Sequence, residues 1–241
     1  MKFQDEGYII NLRKYGESSL ILTVLTREHG KLVGFVKHCL NKKNLAVFQL
    51  GNLVAVDVYA RLDENMPSLR VELISPTAVN FMDSSAKLQT LTAFCGLANA
   101  CLPELANLEN FYDLVSNFFN LIDEDSWLTN YALFEFYLLD FLGIGLDLSC
   151  CAVTGQTENL AYVSPKSGKA VSAEVGEIYK DKLFLYPHFI MQNRNNPKPE
   201  ELRNLLRMTE FFLRKNFFNS HGLKFPESRA NLAEIIYNQD F

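Results

Sequence analysis

Two adjacent thiols, Cys150 and Cys151, lead into a glycine-turn hairpin in "SCCAVTGQTENLAYVSPKSGKAVS". Many zinc modules begin this way, and structural zinc takes four Cys or His ligands in a tetrahedral shell. No cysteine follows Cys151, however, and the next histidine, His188, lies 37 positions on. Adjacent cysteines also lack the two-residue spacer that lets paired ligands converge on one ion. The stretch therefore predicts a hairpin without metal. Of the other thiols, Cys39 sits by a basic stretch, while Cys95 and Cys101 fall in apolar helical sequence, where a free thiol behaves as a small hydrophobe. Five cysteines scattered over 241 residues do not make a disulfide framework.

Catalytic frames are absent from the sequence. There is no phosphate-cradling P-loop, no G-x-S-x-G elbow and no H-E-x-x-H helix. His29, His38, His188 and His221 are far apart, and Asp123, Glu124 and Asp125 read as a solvated loop between helices. The expectation is a non-enzyme that needs no cofactor.

Binding a polyanion is the chemistry these residue types do suit. "VKHCLNKKNL" places Lys37, His38, Lys42 and Lys43 in one loop, which Arg13, Lys14, Arg27, Lys31 and Arg61 could extend. Cations of this kind track a phosphate backbone, and Tyr15, Phe35 and Tyr59 are aromatics on which bases could stack. Further on, Arg203, Arg207 and Arg214 fall within about 40° of one another on a helix of ordinary pitch, beside an apolar arc. Arginine forks next to an apolar groove suit an acidic peptide tail. Lys166 and Lys169 on the hairpin offer a second, weaker phosphate contact.

The net charge of −5 alone argues against a generic nucleic-acid binder, but it is unevenly spread. Residues 1–80 carry a net +2, residues 81–148 a net −9 and residues 149–241 a net +2. Such asymmetry points to separate jobs. No apolar run approaches the ~18 residues of a membrane span, and "MKFQDEGYII" is too acidic for a signal peptide. A cytoplasmic, soluble chain is expected.

The elements that must position these residues are legible as changes of period. "GYIINLRKY", "SLILTVLT", "KLVGFVKH", "LVAVDVYAR" and "LRVELIS" read as five strands with no helix between them. They suit a small closed barrel, of the OB-fold or the SH3-like kind, the OB-fold being the commoner five-stranded solution. From residue 83 the spacing turns helical. "SSAKLQTLTAFCGLANACLP", "LENFYDLVSNFFNLI" and "SWLTNYALFEFYLLDFLGIG" are apolar on more than one face, as helices of a bundle core are. A long helix opens at "KPEELRN" and a short one at "SRANLAEIIY".

This layout resembles the RecO family of bacterial recombination-repair mediators over nearly the whole chain. The likeness rests on "DEGYIINLRKYGESSLILTVLTREHGKL", on "QLGNLV", and on "GIGLDLSCCAVTG" with "AYVSPKSGKAV"; Ser228 and Arg229 echo a family Ser-Arg pair. The resemblance implies an α+β chain. An N-terminal five-stranded OB-fold β-barrel (1–80) would be followed by an α-helical domain (81–148 and 198–241). Between its two parts would sit a degenerate zinc-ribbon-like hairpin module (149–197), with "SGKAVS" standing where relatives carry a second cysteine pair. It further implies a protein that binds single- and double-stranded DNA, anneals complementary strands and works with RecR. In some lineages RecF joins in loading RecA onto DNA coated by single-strand-binding protein, whose acidic C-terminal tail the family contacts. Two other readings of the residues stay open: a protein-interaction adaptor with a purely structural barrel, and an RNA-binding OB-fold protein.

Overall fold

The computed structural model describes residues 2–41, 44–60, 66–120, 126–194 and 196–238. Contacts divide them into two compact units: residues 1–127 with 226–235, and residues 128–225 with 236–241.

The first unit is built on a closed barrel of β1 (Lys2–Tyr15), β2 (Ser19–Thr26), β3 (Gly30–Val36), β4 (Leu53–Tyr59) and β5 (Ser68–Ser75), in the order β1-β2-β3-β5-β4. This is the OB-fold arrangement. Alternation dictates which way each strand faces. Val54, Val56 and Val58 point inward with Leu20, Leu22, Leu32, Val36 and Leu69, and the residues between them face out. β1 begins five residues earlier than the apolar pattern suggests, because its polar start "KFQDEG" pairs with β4 while its second half pairs with β2. Gly7 and Tyr8 pair with both strands, and the register with β2 shifts just beyond them, between Ile9 and Asn11.

Closure falls to one parallel contact, Phe35 opposite Ser68, reinforced by the Phe35 N–H donating to the Pro67 carbonyl at 2.8 Å. Gly34 makes that approach feasible. A Cβ there would lie 2.4 Å from Leu69 Cγ, well inside contact distance, so Leu69 fills the space a side chain would take. Gly30, with φ +68°, ends the β2–β3 turn, and a Cβ on it would run into the Ala106 carbonyl.

The helices α1 (Ser85–Cys101) and α2 (Glu109–Asn120) lie wholly in the same unit. The Ser84 hydroxyl caps α1 by accepting from the Ala86 N–H. Tyr8, fully buried, stacks on Phe119 at 4.2 Å, and Phe94 stacks on Phe118 at 4.3 Å, so barrel and helices share an aromatic core. That shared core is why α1 and α2 group with the barrel here, whereas composition divides the chain near residue 80.

The second unit holds α3 (Trp127–Phe141) and a small sheet of β6 (Leu160–Val163), β7 (Ala170–Ser172) and β8 (Phe184–Leu185). It continues with α4 (Ala173–Gly176), α5 (His188–Met191) and α6 (Pro199–Phe212); most of α7 (Glu227–Asn238) belongs to the first unit. α6 runs on into a wider π-helical turn, Leu213–Phe218. Inside this unit the Thr209 hydroxyl donates to the fully buried Glu135 carboxylate at 2.5 Å. Among the described residues, no helix is long and apolar enough to cross a membrane.

Gly34→Ala should destabilise the barrel by about 1–3 kcal/mol, the usual cost of overpacking a filled site. A lower urea midpoint at unchanged slope would show it; an unchanged midpoint would mean that Gly34 does not carry the closure.

Candidate nucleic-acid interface

The residues singled out by charge fall into two groups on the barrel. At the Ser19 end of β2, Arg13, Lys14 and Tyr15 end β1, Phe35 is the last residue but one of β3, and Lys37 and His38 follow that strand. Arg13, Lys14, Lys37 and His38 are exposed, and among the described residues none of them meets a carboxylate. His38 adopts a left-handed φ of 50°, held by its N–H donating to Ser19 Oγ at 3.2 Å and its ring Nδ1 lying 3.2 Å from Ser18 Oγ. Tyr15 meets Phe35 edge-on, with ring centroids 5.2 Å apart. Cations and accessible aromatic surface therefore share one end of the barrel.

Arg27 and Lys31 lie at the other end, seven residues along β2, or about 23 Å away. Both are engaged there. Arg27 Nη1 sits 3.2 Å from Glu6 Oε1, and Lys31 Nζ donates to the Asn99 carbonyl near the C-terminus of α1 at 2.9 Å. Burial holds the Lys31 ammonium below the ordinary lysine value. The "REHG" turn is itself pinned from beneath. The buried Asp5 carboxylate accepts from the Glu28 N–H at 3.2 Å and the His29 N–H at 3.1 Å, with His29 Nδ1 at 2.8 Å and the ring stacked on Phe3. Lys42, Lys43 and Arg61, named from the sequence, lie outside the described residues.

Lys2 is the residue sequence reading passed over. Its Nζ stands 5.3 Å from the ring centroid of Tyr59, which is 42% exposed and lies directly opposite it across β1 and β4. Continuing the in–out alternation of β1 back to residue 2 would have found it.

In the second unit the three arginines are not equivalent. Arg207 is exposed, with its guanidinium 4.8 Å from the Tyr237 ring. Arg214 lies on the π-helical turn, where its Nε donates to Glu210 at 2.8 Å and its guanidinium covers Phe225 at 3.7 Å. Arg203 is half-buried. On the hairpin both lysines are exposed; Lys169 pairs with Asp147 at 3.2 Å, and Lys166 is the other.

The two cysteines are also unlike. Cys150 is half-buried, whereas Cys151 is 1% exposed and its sulfur accepts from the Ser172 N–H at 3.3 Å. Burial alone would push this thiol up, but hydrogen bonds from Thr154 and Ser172 outweigh it and pull it down to about 6. Among the described residues, no three His, Cys, Asp or Glu side chains gather as a metal site would require.

Comparison with known proteins bears on the whole chain. Residues 1–77 match the family profile described as Recombination protein O N terminal, and residues 84–222 match Recombination protein O C terminal. A DNA repair protein RecO of Bartonella bacilliformis is 39% identical over 243 residues, covering 98% of this chain and 97% of that one. A protein of the same name from Wolbachia pipientis wMel is 39% identical, with 98% and 100% covered. One from Mesorhizobium japonicum is 39% identical, with 98% and 94% covered.

Because the folded Cys151 thiol ionises below the unfolded one, its stabilisation is complete above the unfolded value and is lost as pH falls through about 6. The stability difference between the native chain and Cys151→Ala should therefore widen as pH rises from about 6 toward the ordinary thiol range. Chemical denaturation across that window checks this, and a difference independent of pH would show that the sulfur is not held as a thiolate.

Proposed function

The chain belongs to the recombination protein O family of DNA repair proteins, and from that premise we propose that it binds single- and double-stranded DNA and anneals complementary strands. In this reading it acts in the cytoplasm without catalytic chemistry, metal or cofactor. Together with RecR, and RecF where present, it helps to load RecA onto DNA coated by single-strand-binding protein.

The observation that carries the reading is the cluster of exposed, carboxylate-free cations, Arg13, Lys14 and Lys37, beside Tyr15 and Phe35 at one end of the barrel. Cations free of local partners can release the counterions condensed on phosphates, which is the main source of sequence-independent affinity. Annealing follows from the same feature, since neutralised strands approach one another without mutual repulsion. The acidic stretch 81–148, at a net −9, works the other way and discourages indiscriminate wrapping by duplex.

A second surface accounts for recruitment to coated DNA. Arg207, exposed and stacked on Tyr237, supplies a guanidinium beside an aromatic ring, a combination suited to the acidic, hydrophobic tail of single-strand-binding protein. Arg203 and Arg214 are supporting members of this site, Arg214 through Phe225.

The paired substitution Arg13→Ala/Lys37→Ala should slow annealing of precoated complementary strands. It should also flatten the slope of log affinity against log salt by roughly 1.4 to 1.8, at about 0.7–0.9 per lost phosphate contact. Fluorescence titrations over a salt series measure the slope. A slope equal to that of the native chain would remove this face from the interface, and failure of the native chain to bind DNA even at low salt would favour an adaptor.

Arg207→Ala should weaken a labelled acidic tail peptide by about tenfold, the usual loss for a hydrogen bond to a charged group. Undiminished binding would sink the assignment.

A further inference from the structure

Resting on the DNA-binding reading above, we infer that an outward row of side chains crossing the barrel is a base-stacking track, which makes this face selective for unpaired single strands. The row is read directly from strand register. Arg13 stands opposite Ile21, Ile21 opposite Phe35, Phe35 opposite Ser68, Ser68 opposite Tyr59, and Tyr59 opposite Lys2. The neighbours of these residues along each strand, Leu12, Leu20, Val36, Leu69, Val58 and Phe3, pack in or against the barrel core. All six members of the row therefore point away from it.

The row occupies one side of the barrel. It spans five strand spacings, about 24 Å, and returns to β1 eleven residues further on, about 36 Å along that strand. A row crossing strands so strongly staggered climbs the barrel axis more than it circles it. Its chemistry is ordered as well. A cation stands at each end, Lys2 and Arg13; Phe35 and Tyr59 lie two strands apart, about 10 Å between backbones; and no carboxylate interrupts them. Tyr15 widens the aromatic surface at Phe35 and is 58% exposed.

Exposed Tyr15 and Tyr59 and half-exposed Phe35, set between cations, fit a polymer that alternates flat rings with anions. In a duplex the faces of the bases are already covered by their neighbours, so only phosphates remain for Arg13, Lys14 and Lys37. In a single strand the bases can turn out and stack on Tyr15, Phe35 and Tyr59. The cations thus serve both forms of DNA, and the rings serve one. Stacking is also insensitive to salt where phosphate contact is not, so the two contributions can be separated by experiment.

The test measures single-strand and duplex affinity over a salt series for the native chain, Tyr15→Ala/Tyr59→Ala, Tyr15→Phe/Tyr59→Phe, and Arg13→Ala/Lys37→Ala. The double alanine variant should lower single-strand affinity about 5- to 100-fold more than duplex affinity, with the salt slope unchanged. The phenylalanine variant should restore most of the loss, because its rings remain. On the native chain, a strand bearing abasic sites should bind like the alanine variant binds an intact strand. If the alanine variant weakens single strand and duplex equally, or neither, while Arg13→Ala/Lys37→Ala still weakens both, the track is wrong and the DNA-binding reading stands. If the charge variant also leaves both affinities unchanged, that reading falls with it.

Discussion

The barrel depends on one narrow seam, the parallel meeting of β3 and β5 at Phe35 and Ser68. Four of the five strand junctions are antiparallel ladders several pairs long, and the fifth has a single register pair. Without it the sheet would be open, with two edges of unpaired backbone groups. The seam holds because Gly34 offers no side chain and Leu69 takes its place, while the Phe35 N–H reaches the Pro67 carbonyl. Phe35 thus belongs to both closure and surface: its backbone joins the strands, and its ring faces out beside Tyr15. A change that loosens the seam disturbs the spacing of the aromatics at the same time.

The free cations gain meaning from the fate of the others. Lysines and arginines elsewhere are largely tied to internal tasks: Lys31 to the Asn99 carbonyl, Lys87 to Asp83, Lys169 to Asp147, and Lys215 to the Pro165 carbonyl at the hairpin turn. Arg27, Arg70 and Arg194 face carboxylates, and exposed pairs of this kind contribute little to stability. They do cancel one another's fields, however. In a chain of net −5, an attractive potential for phosphate arises only where cations remain unaccompanied. Arg13, Lys14 and Lys37 meet that condition together, which total charge could not reveal.

Local pattern was legible in the sequence, and long-range pairing was not. Alternation such as Val54, Val56 and Val58 identifies strands and their inward faces, and the change of period near residue 83 marks the helices. The true start of β1 stayed hidden because the residues before Gly7 carry no apolar run, whereas Asp5 is a buried anchor for a turn more than twenty residues away. The division of the cations was equally invisible, since the partner of Lys31 is 68 positions distant. The arginine arc presumed a constant helical pitch, and the π-helical turn at Leu213–Phe218 departs from it before Arg214 is reached. These are contacts set by the folded chain, beyond the reach of local periodicity.

The hairpin module raises a sharper question of stability. A single hydrogen bond nets about 1 kcal/mol. The contacts around Cys151 are hydrogen bonds: Thr154 and the Ser172 N–H to its sulfur, its own N–H to the Gln156 carbonyl, and the Gly155 N–H to its carbonyl. They can orient a turn, but their summed contribution is small. Apolar burial must supply the rest, and a piece this small has too little interior of its own. Its buried face, Leu160, Val163 and Ala170, is therefore completed from within the same unit. Phe184 lies 5.3 Å from Phe211 and 5.9 Å from Phe212 on α6, and Lys215 reaches across to the hairpin turn. A hairpin held in this way depends on α6, so a change on that helix that loosens Phe211 or Phe212 should disorder it while leaving every residue of the hairpin intact.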